Sequence, residues 1–138
     1  MCADLIAGDL VFQDAICRVV LHDDWAVRGH AMVIARRHVE NVSDLFPQEW
    51  QQLAAVLAMS ERALLDITGT ERAIIMKLGI ATPHLHLHIY PVHASLDRAA
   101  VMRNIDAKTR EPRDEAFVER VRRALGGETE QGAARTDE

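Results

Sequence analysis

From residue 83 to residue 92 the chain reads PHLHLHIYPV, so His84, His86 and His88 alternate with Leu85, Leu87 and Ile89. Alternate side chains of a strand point to opposite faces. The pattern therefore predicts a strand over Pro83–Val92 with a leucine face to pack under a helix and a row of imidazoles on the opposite surface. Leu10–Gln13 and Ile16–Leu21 are also β-rich, and Asp14-Ala15 between them suggests a hairpin. Gly29–Ala35 reads as a third strand ending at Arg36-Arg37-His38, and Arg72–Lys77 as a fourth. Their closeness in sequence favours antiparallel pairing.

Between Ser43 and Thr68 the period changes. Trp50, Leu53, Leu57, Ser60, Leu64 and Ile67 follow helical spacing and lay one mostly apolar stripe along a long helix. Pro47 suits its first turn, and Gly69 suits the left-handed position after its last. Asp114–Leu125 reads as a short amphipathic helix. The charged stretch before it carries no assigned element or site. The expected fold class is α+β: an antiparallel sheet of about five strands, one long helix on one face and a short C-terminal helix. A single domain is expected over residues 1–125, and the polar, glycine-containing segment 126–138 reads as a disordered tail.

Length and charge narrow the function. With 138 residues the chain suits one core, and no repeat at a solenoid or propeller period is visible. A net charge of −5 repels polyanions, so nucleic acid is not an expected partner. Two cysteines, Cys2 and Cys17, imply no disulfide framework and fit a reducing cytoplasm. The opening MCADLIAGDL lacks a basic region or an apolar run of signal-peptide length, and no uninterrupted run of about 18 apolar residues offers to span a membrane.

The histidine row admits three readings. It could be surface decoration. It could hold a metal, since neighbouring members of an H-x-H pair can share a zinc ion, although His84 and His88 lie roughly 13 Å apart on a straight strand and no acidic or cysteine third ligand stands nearby. It could attack an electrophile, because an imidazole nitrogen can form a bond to phosphorus while a neighbouring imidazole manages the proton near neutral pH.

The run HLHLHIY, with CADLIAG, VFQD, ICRVVLHDD and GHAMVIARRHVENVSDL before it, resembles the histidine triad superfamily of nucleotide hydrolases and transferases from about Cys2 to His93. The resemblance implies a nucleotide hydrolase or nucleotidyl transferase, diadenosine-polyphosphate-hydrolase-like or nucleoside-phosphoramidase-like, acting at the α-phosphate of a nucleoside derivative without a cofactor or metal. His86 would be the nucleophile and carry the nucleotidyl group covalently. His88 would contact the α-phosphate and the departing group, with His84 and His38 orienting the others. Asp23 would take the ribose hydroxyls, and Leu21, His22 and Leu5 or Ile6 would wall a purine pocket. The family's architecture also implies a homodimer with sheets continuing across the interface. The rival readings are a nucleotide-binding module with little turnover and a histidine-cluster metalloprotein.

The segment before the triad departs from the family pattern. Relatives commonly follow a glycine there with glutamine or asparagine, and some add a serine. This chain reads KLGIATP, with Ile80 and Ala81 after Gly79 and Thr82 one position beyond. Lys77 stands near a common asparagine, and Val92 where an arginine often follows the Tyr-Pro pair. Nucleotide contacts are therefore expected from Gly79 and Ala81 through the backbone, and from Lys77 as a point charge. His30 is expected to flank a strand, His93 to be exposed, and Cys17 to be a small buried hydrophobe.

Overall fold

The computed structural model describes residues 8–22, 27–107 and 112–126. Strands β1 (Gly8–Gln13), β2 (Cys17–His22), β3 (Ala31–Ala35), β4 (Arg72–Met76) and β5 (His86–Val92) form an antiparallel sheet in the order β1-β2-β3-β5-β4. The α+β expectation holds. The hairpin turn at Asp14 is closed by its own carboxylate, which accepts from the Ile16 and Cys17 amides at 2.8 Å. β1 carries an irregularity between Leu10 and Phe12, and the intervening Val11 points into the core.

Helix α1 (Pro47–Thr68) covers one face through Leu53, Val56, Ala63 and Leu64. It starts later than Ser43. Val42–Asp44 forms a 3-10 turn instead, because Pro47 holds Phe46 in an extended conformation with ψ 154 and so separates the two elements. The Phe46 amide then donates to Glu49 Oε1 at 2.7 Å. At the other end Gly69 takes φ 70 and donates to the Leu65 carbonyl at 2.9 Å, as a left-handed terminator should.

Beneath α1, Val19, Val33, Leu87 and Ile89 from successive strands form the main core. α3 (Glu115–Ala124) joins it with Phe117, Val118 and Val121. Asp114 caps this helix, accepting from the Phe117 amide at 3.1 Å, and Arg28 pairs with the same carboxylate at 3.0 Å. Arg113 reaches Asp9 on β1 at 2.8 Å, and Arg122 donates to the Leu10 carbonyl at 2.8 Å, which blunts that sheet edge. Exposed ion pairs contribute little, so the buried residues carry most of the docking.

One helix was not expected. α2 (Arg98–Ala107) follows the triad strand and buries only Val101 and Ile105, against Tyr90 and Val92. Two apolar positions in a charged stretch give too weak a periodicity to read alone. The Asp97 carboxylate accepts from the Ala100 amide at 2.9 Å and starts the helix. Among the described residues no helix is long and apolar enough to cross a membrane. The tail 127–138, and Leu5, Ile6 and Cys2, lie outside the described residues.

Phe117→Ala should lower unfolding free energy by ~3–5 kcal/mol in urea titrations, because it empties a fully enclosed site between α1 and α3. Burial, aided by the nearby Asp14 carboxylate, pushes the Cys17 thiol up to about 12. At pH 8 the folded protein should therefore leave the Cys17 peptide unalkylated by iodoacetamide, with labelling appearing only on denaturation, as read by peptide mass spectrometry.

Candidate functional site

Because side chains alternate, the β5 face away from α1 carries His86, His88 and Tyr90. Antiparallel register puts Ile34 opposite His86 and Met32 opposite His88 on the neighbouring strand β3, and Met76 opposite His88 on β4. These imidazoles do not form an exposed row. His84, His86, His88 and His30 are 2%, 7%, 9% and 4% exposed. Rings packed on one another account for much of the difference: His22 stacks on His30 at 4.6 Å between centroids, and His30 stacks on Tyr90 at 4.2 Å.

The triad strand also starts later than Pro83. His84 and Leu85 lie before β5 and bond outside its regular ladder. The His84 amide donates to the Thr82 carbonyl at 2.8 Å, the Leu85 amide to Val39 at 2.7 Å, and the Ala35 amide to Leu85 at 3.1 Å. His84 is thereby held at the end of β3, and its Nε2 lies 2.5 Å from the Ala35 carbonyl oxygen. Its Nδ1 meets His38 Nδ1 at 3.2 Å.

Backbone carbonyls decide two tautomers. A carbonyl oxygen only accepts, so His84 Nε2 carries its hydrogen, and a neutral His84 must accept at Nδ1 from His38. His86 Nδ1 lies 2.6 Å from the carbonyl oxygen of His84 and likewise must donate. The lone pair of neutral His86 is then confined to Nε2. Its ring meets the His88 ring edge-on at 5.0 Å. A ring nitrogen with its lone pair fixed by the tautomer thus stands beside a second imidazole, an arrangement that can serve covalent or acid–base chemistry.

The sequence predicts His30 only as a strand-flanking residue, and the fold places it in the histidine cluster. Its Nε2 lies 2.9 Å from His88 Nδ1. The signal was present in the parity of the third strand, where His30, Met32 and Ile34 share the face of His88 and His86, but the pairing of that strand with β5 is not visible in sequence.

The proposed nucleotide contacts divide. His22 ends β2 and joins the ring stack, 6.5 Å from His88 between centroids, while Leu21 beside it is buried on the α1 side of the sheet. Asp23 lies outside the described residues. Lys77 is turned to the Asn41 side chain at 3.1 Å rather than to the imidazoles. Gly79 takes φ 63 in the loop ahead of His84, a conformation that L side chains resist, and Ala81 is exposed in the same loop. His93 is exposed, 3.8 Å from Glu71, at the far end of β5. A cavity of about 330 Å³ opens there between Val27, Thr68, Pro91 and Leu96, apart from the triad. Among the described residues no three His, Cys, Asp or Glu side chains are grouped to hold a metal ion.

The HIT domain model matches residues 5–95, more than half of the chain. The chain belongs to the HIT domain family. Solved histidine triad proteins share its fold: a HIT-like protein involved in cell-cycle regulation from Bartonella henselae has 17% identity over 89% of this chain and 90% of its own, with TM-score 0.69. A histidine triad protein from Bradyrhizobium japonicum has 21% identity over 85% and 90%, with TM-score 0.69. A zinc-bound histidine triad family protein from Mycobacterium smegmatis has 22% identity over 96% and 92%, with TM-score 0.68. HIT domain proteins typically bind nucleotides and hydrolyse or transfer nucleotidyl groups.

His30→Phe keeps a ring in the stack but removes the nitrogen that pairs with His88. Denaturant titration should show a loss of ~1–3 kcal/mol, since a buried imidazole nitrogen loses its partner. An unchanged midpoint would mean that the contact contributes nothing.

Proposed function

We propose that this HIT protein cleaves at the α-phosphate of a purine nucleoside 5′-phosphate derivative, a phosphoramidate or a dinucleoside polyphosphate, through a nucleotidyl intermediate on His86. One observation carries this reading: the His86 Nδ1 contact to the His84 carbonyl at 2.6 Å, which leaves Nε2 as the lone-pair nitrogen. Nε2 attacks phosphorus, a nitrogen–phosphorus bond forms, and the bond to the leaving group breaks with its electron pair. The Nδ1 proton stays bonded to the carbonyl, which stabilises the positive charge that the ring acquires.

His88 manages the second proton. As a cation it donates through Nδ1 to a neutral His30 and through Nε2 to the departing group. Neutral His88 then takes a proton from water as that water attacks phosphorus and returns the electron pair to His86. The arrangement of His38 against His84, and of His84 against the Ala35 carbonyl, supports a positioning role for both. Asp23 and His22 are assigned to the nucleoside, with Gly79 offering backbone donors to phosphate. Lys77 would reach phosphate only by leaving Asn41.

The same reading includes a homodimer in which β4 edges pair across a two-fold axis. It is supported by the outer position of β4 in the sheet and by the exposure of Ile75 there and Trp50 on α1. The setting is the reducing cytoplasm, as the cysteine usage suggests.

His86→Ala should cut turnover of an adenosine 5′-phosphoramidate by roughly 1,000-fold or more while leaving AMP affinity nearly unchanged, because a nucleophile acts mainly on the transition state. Rapid quenching without acid, followed by intact mass measurement, should catch one added nucleotidyl group on the natural chain and none on the variant. AMP binding without an adduct or product would instead favour a binding module.

A further inference from the structure

Tyr90 brings a phenol ring to the histidine face. The strand β5 carries it two residues beyond His88 on the same side of the sheet, where it is buried. Its ring lies 4.2 Å from that of His30, with the planes 26° apart, and 5.7 Å from that of His88, with the planes 12° apart. Both imidazoles therefore stack on it. They also meet each other, His30 Nε2 to His88 Nδ1 at 2.9 Å. One proton lies in that hydrogen bond when both rings are neutral, and an additional proton makes the pair a cation whose charge the two rings share.

A cation in this place is costly, because both imidazoles are buried and water cannot solvate the charge. The groups around the pair decide how well it is held. His22 stacks on His30 at 4.6 Å and His86 stands edge-on to His88 at 5.0 Å, and either would repel the charge if protonated. Met32 on β3 and Ile74 and Met76 on β4, the cross-strand partners of His88 and Tyr90, carry no charge. Arg28, two residues before His30, is turned to Asp114 at 3.0 Å. Asp106 belongs to α2, the helix packed on Tyr90. Burial first, and then the Asp106 carboxylate, push the Tyr90 phenol above its ordinary value, so the ring stays neutral. The negative face of an aromatic ring attracts a cation within about 6 Å of its centroid. Tyr90 meets that condition for both imidazoles.

We propose that Tyr90 is a positioning residue for the acid step: its ring face stabilises the cation shared by His30 and His88, and so keeps His88 protonated until the departing group takes the proton. This deepens the reading above and rests on it. His88 Nε2 gives its proton to the leaving group and the neutral ring stays bonded to His30. Tyr90 itself exchanges no proton and forms no bond. A leucine in its place would fill space without this attraction.

The test keeps the shape of the ring and changes its charge distribution. The natural full chain, Tyr90→Phe, a chain with pentafluorophenylalanine at the same position, and Tyr90→Leu would be compared by imidazole carbon NMR titration and by the pH profile of kcat for AMP release from adenosine 5′-phosphoramidate. A general acid must be protonated, so kcat falls as pH rises through the titration of the pair. Tyr90→Phe should keep the natural titration. The fluorinated ring and Tyr90→Leu should move both the titration of His30 and His88 and the falling limb of kcat to lower pH by roughly 0.5–1 unit, with KM nearly unchanged. Equal titrations in Tyr90→Phe and the fluorinated chain overturn the proposal, since ring shape alone then accounts for Tyr90, and this comparison decides even where Tyr90→Leu fails to fold. A shifted titration with an unmoved kcat limb overturns the role in the acid step while leaving the hydrolase reading intact. No AMP from the natural chain at any pH overturns the hydrolase reading and the role of Tyr90 in it.

Discussion

A carbonyl oxygen can accept a hydrogen bond but never donate one, and this one-way rule organises the histidines. The His84 carbonyl holds His86 Nδ1, and the Ala35 carbonyl holds His84 Nε2. Each contact puts a proton on a stated nitrogen and a lone pair on the other. The backbone that does this is itself held by β3 and by the Val39 carbonyl, so the tautomers depend on how the end of β3 meets the segment entering β5.

That assembly needs a two-faced strand. All seven residues of β5 are buried, its leucine face by α1 and its other face among rings and α2. Burying imidazoles is costly unless their nitrogens are bonded. The His30 to His88 and His38 to His84 contacts supply two such bonds. The same bonds that make burial tolerable also couple His88 and His84 to partners on other segments. Stability and chemistry share these atoms.

The segment after the triad has a related role. α2 packs Val101 and Ile105 on Tyr90 and Val92, on the same side of the sheet as His86 and His88. Tyr90 in turn stacks on His30. A helix that the sequence barely signals therefore backs the far end of the ring stack, while the short apolar loop before His84 borders the near end.

Much of this was readable in advance because it depends on periodicity and local backbone rules. Alternation in HLHLHIY separated the leucine face from the imidazole face, the helical spacing from Trp50 to Ile67 marked α1, and Pro47 and Gly69 marked its ends. The late start of β5 was hidden because the partners of His84 and Leu85 are backbone groups of Ala35 and Val39, more than 40 residues away. α2 was hidden because its two buried positions become meaningful only when Tyr90 and Val92 lie beneath them. His30 looked like a strand-flanking residue until the β3 to β5 pairing brought its Nε2 to His88. The sequence by itself determined which side chains share a face, since that follows from the period of the backbone. Only the tertiary structure decided which nitrogens meet, since hydrogen bonds reach about 3 Å and only folding brings distant segments that close.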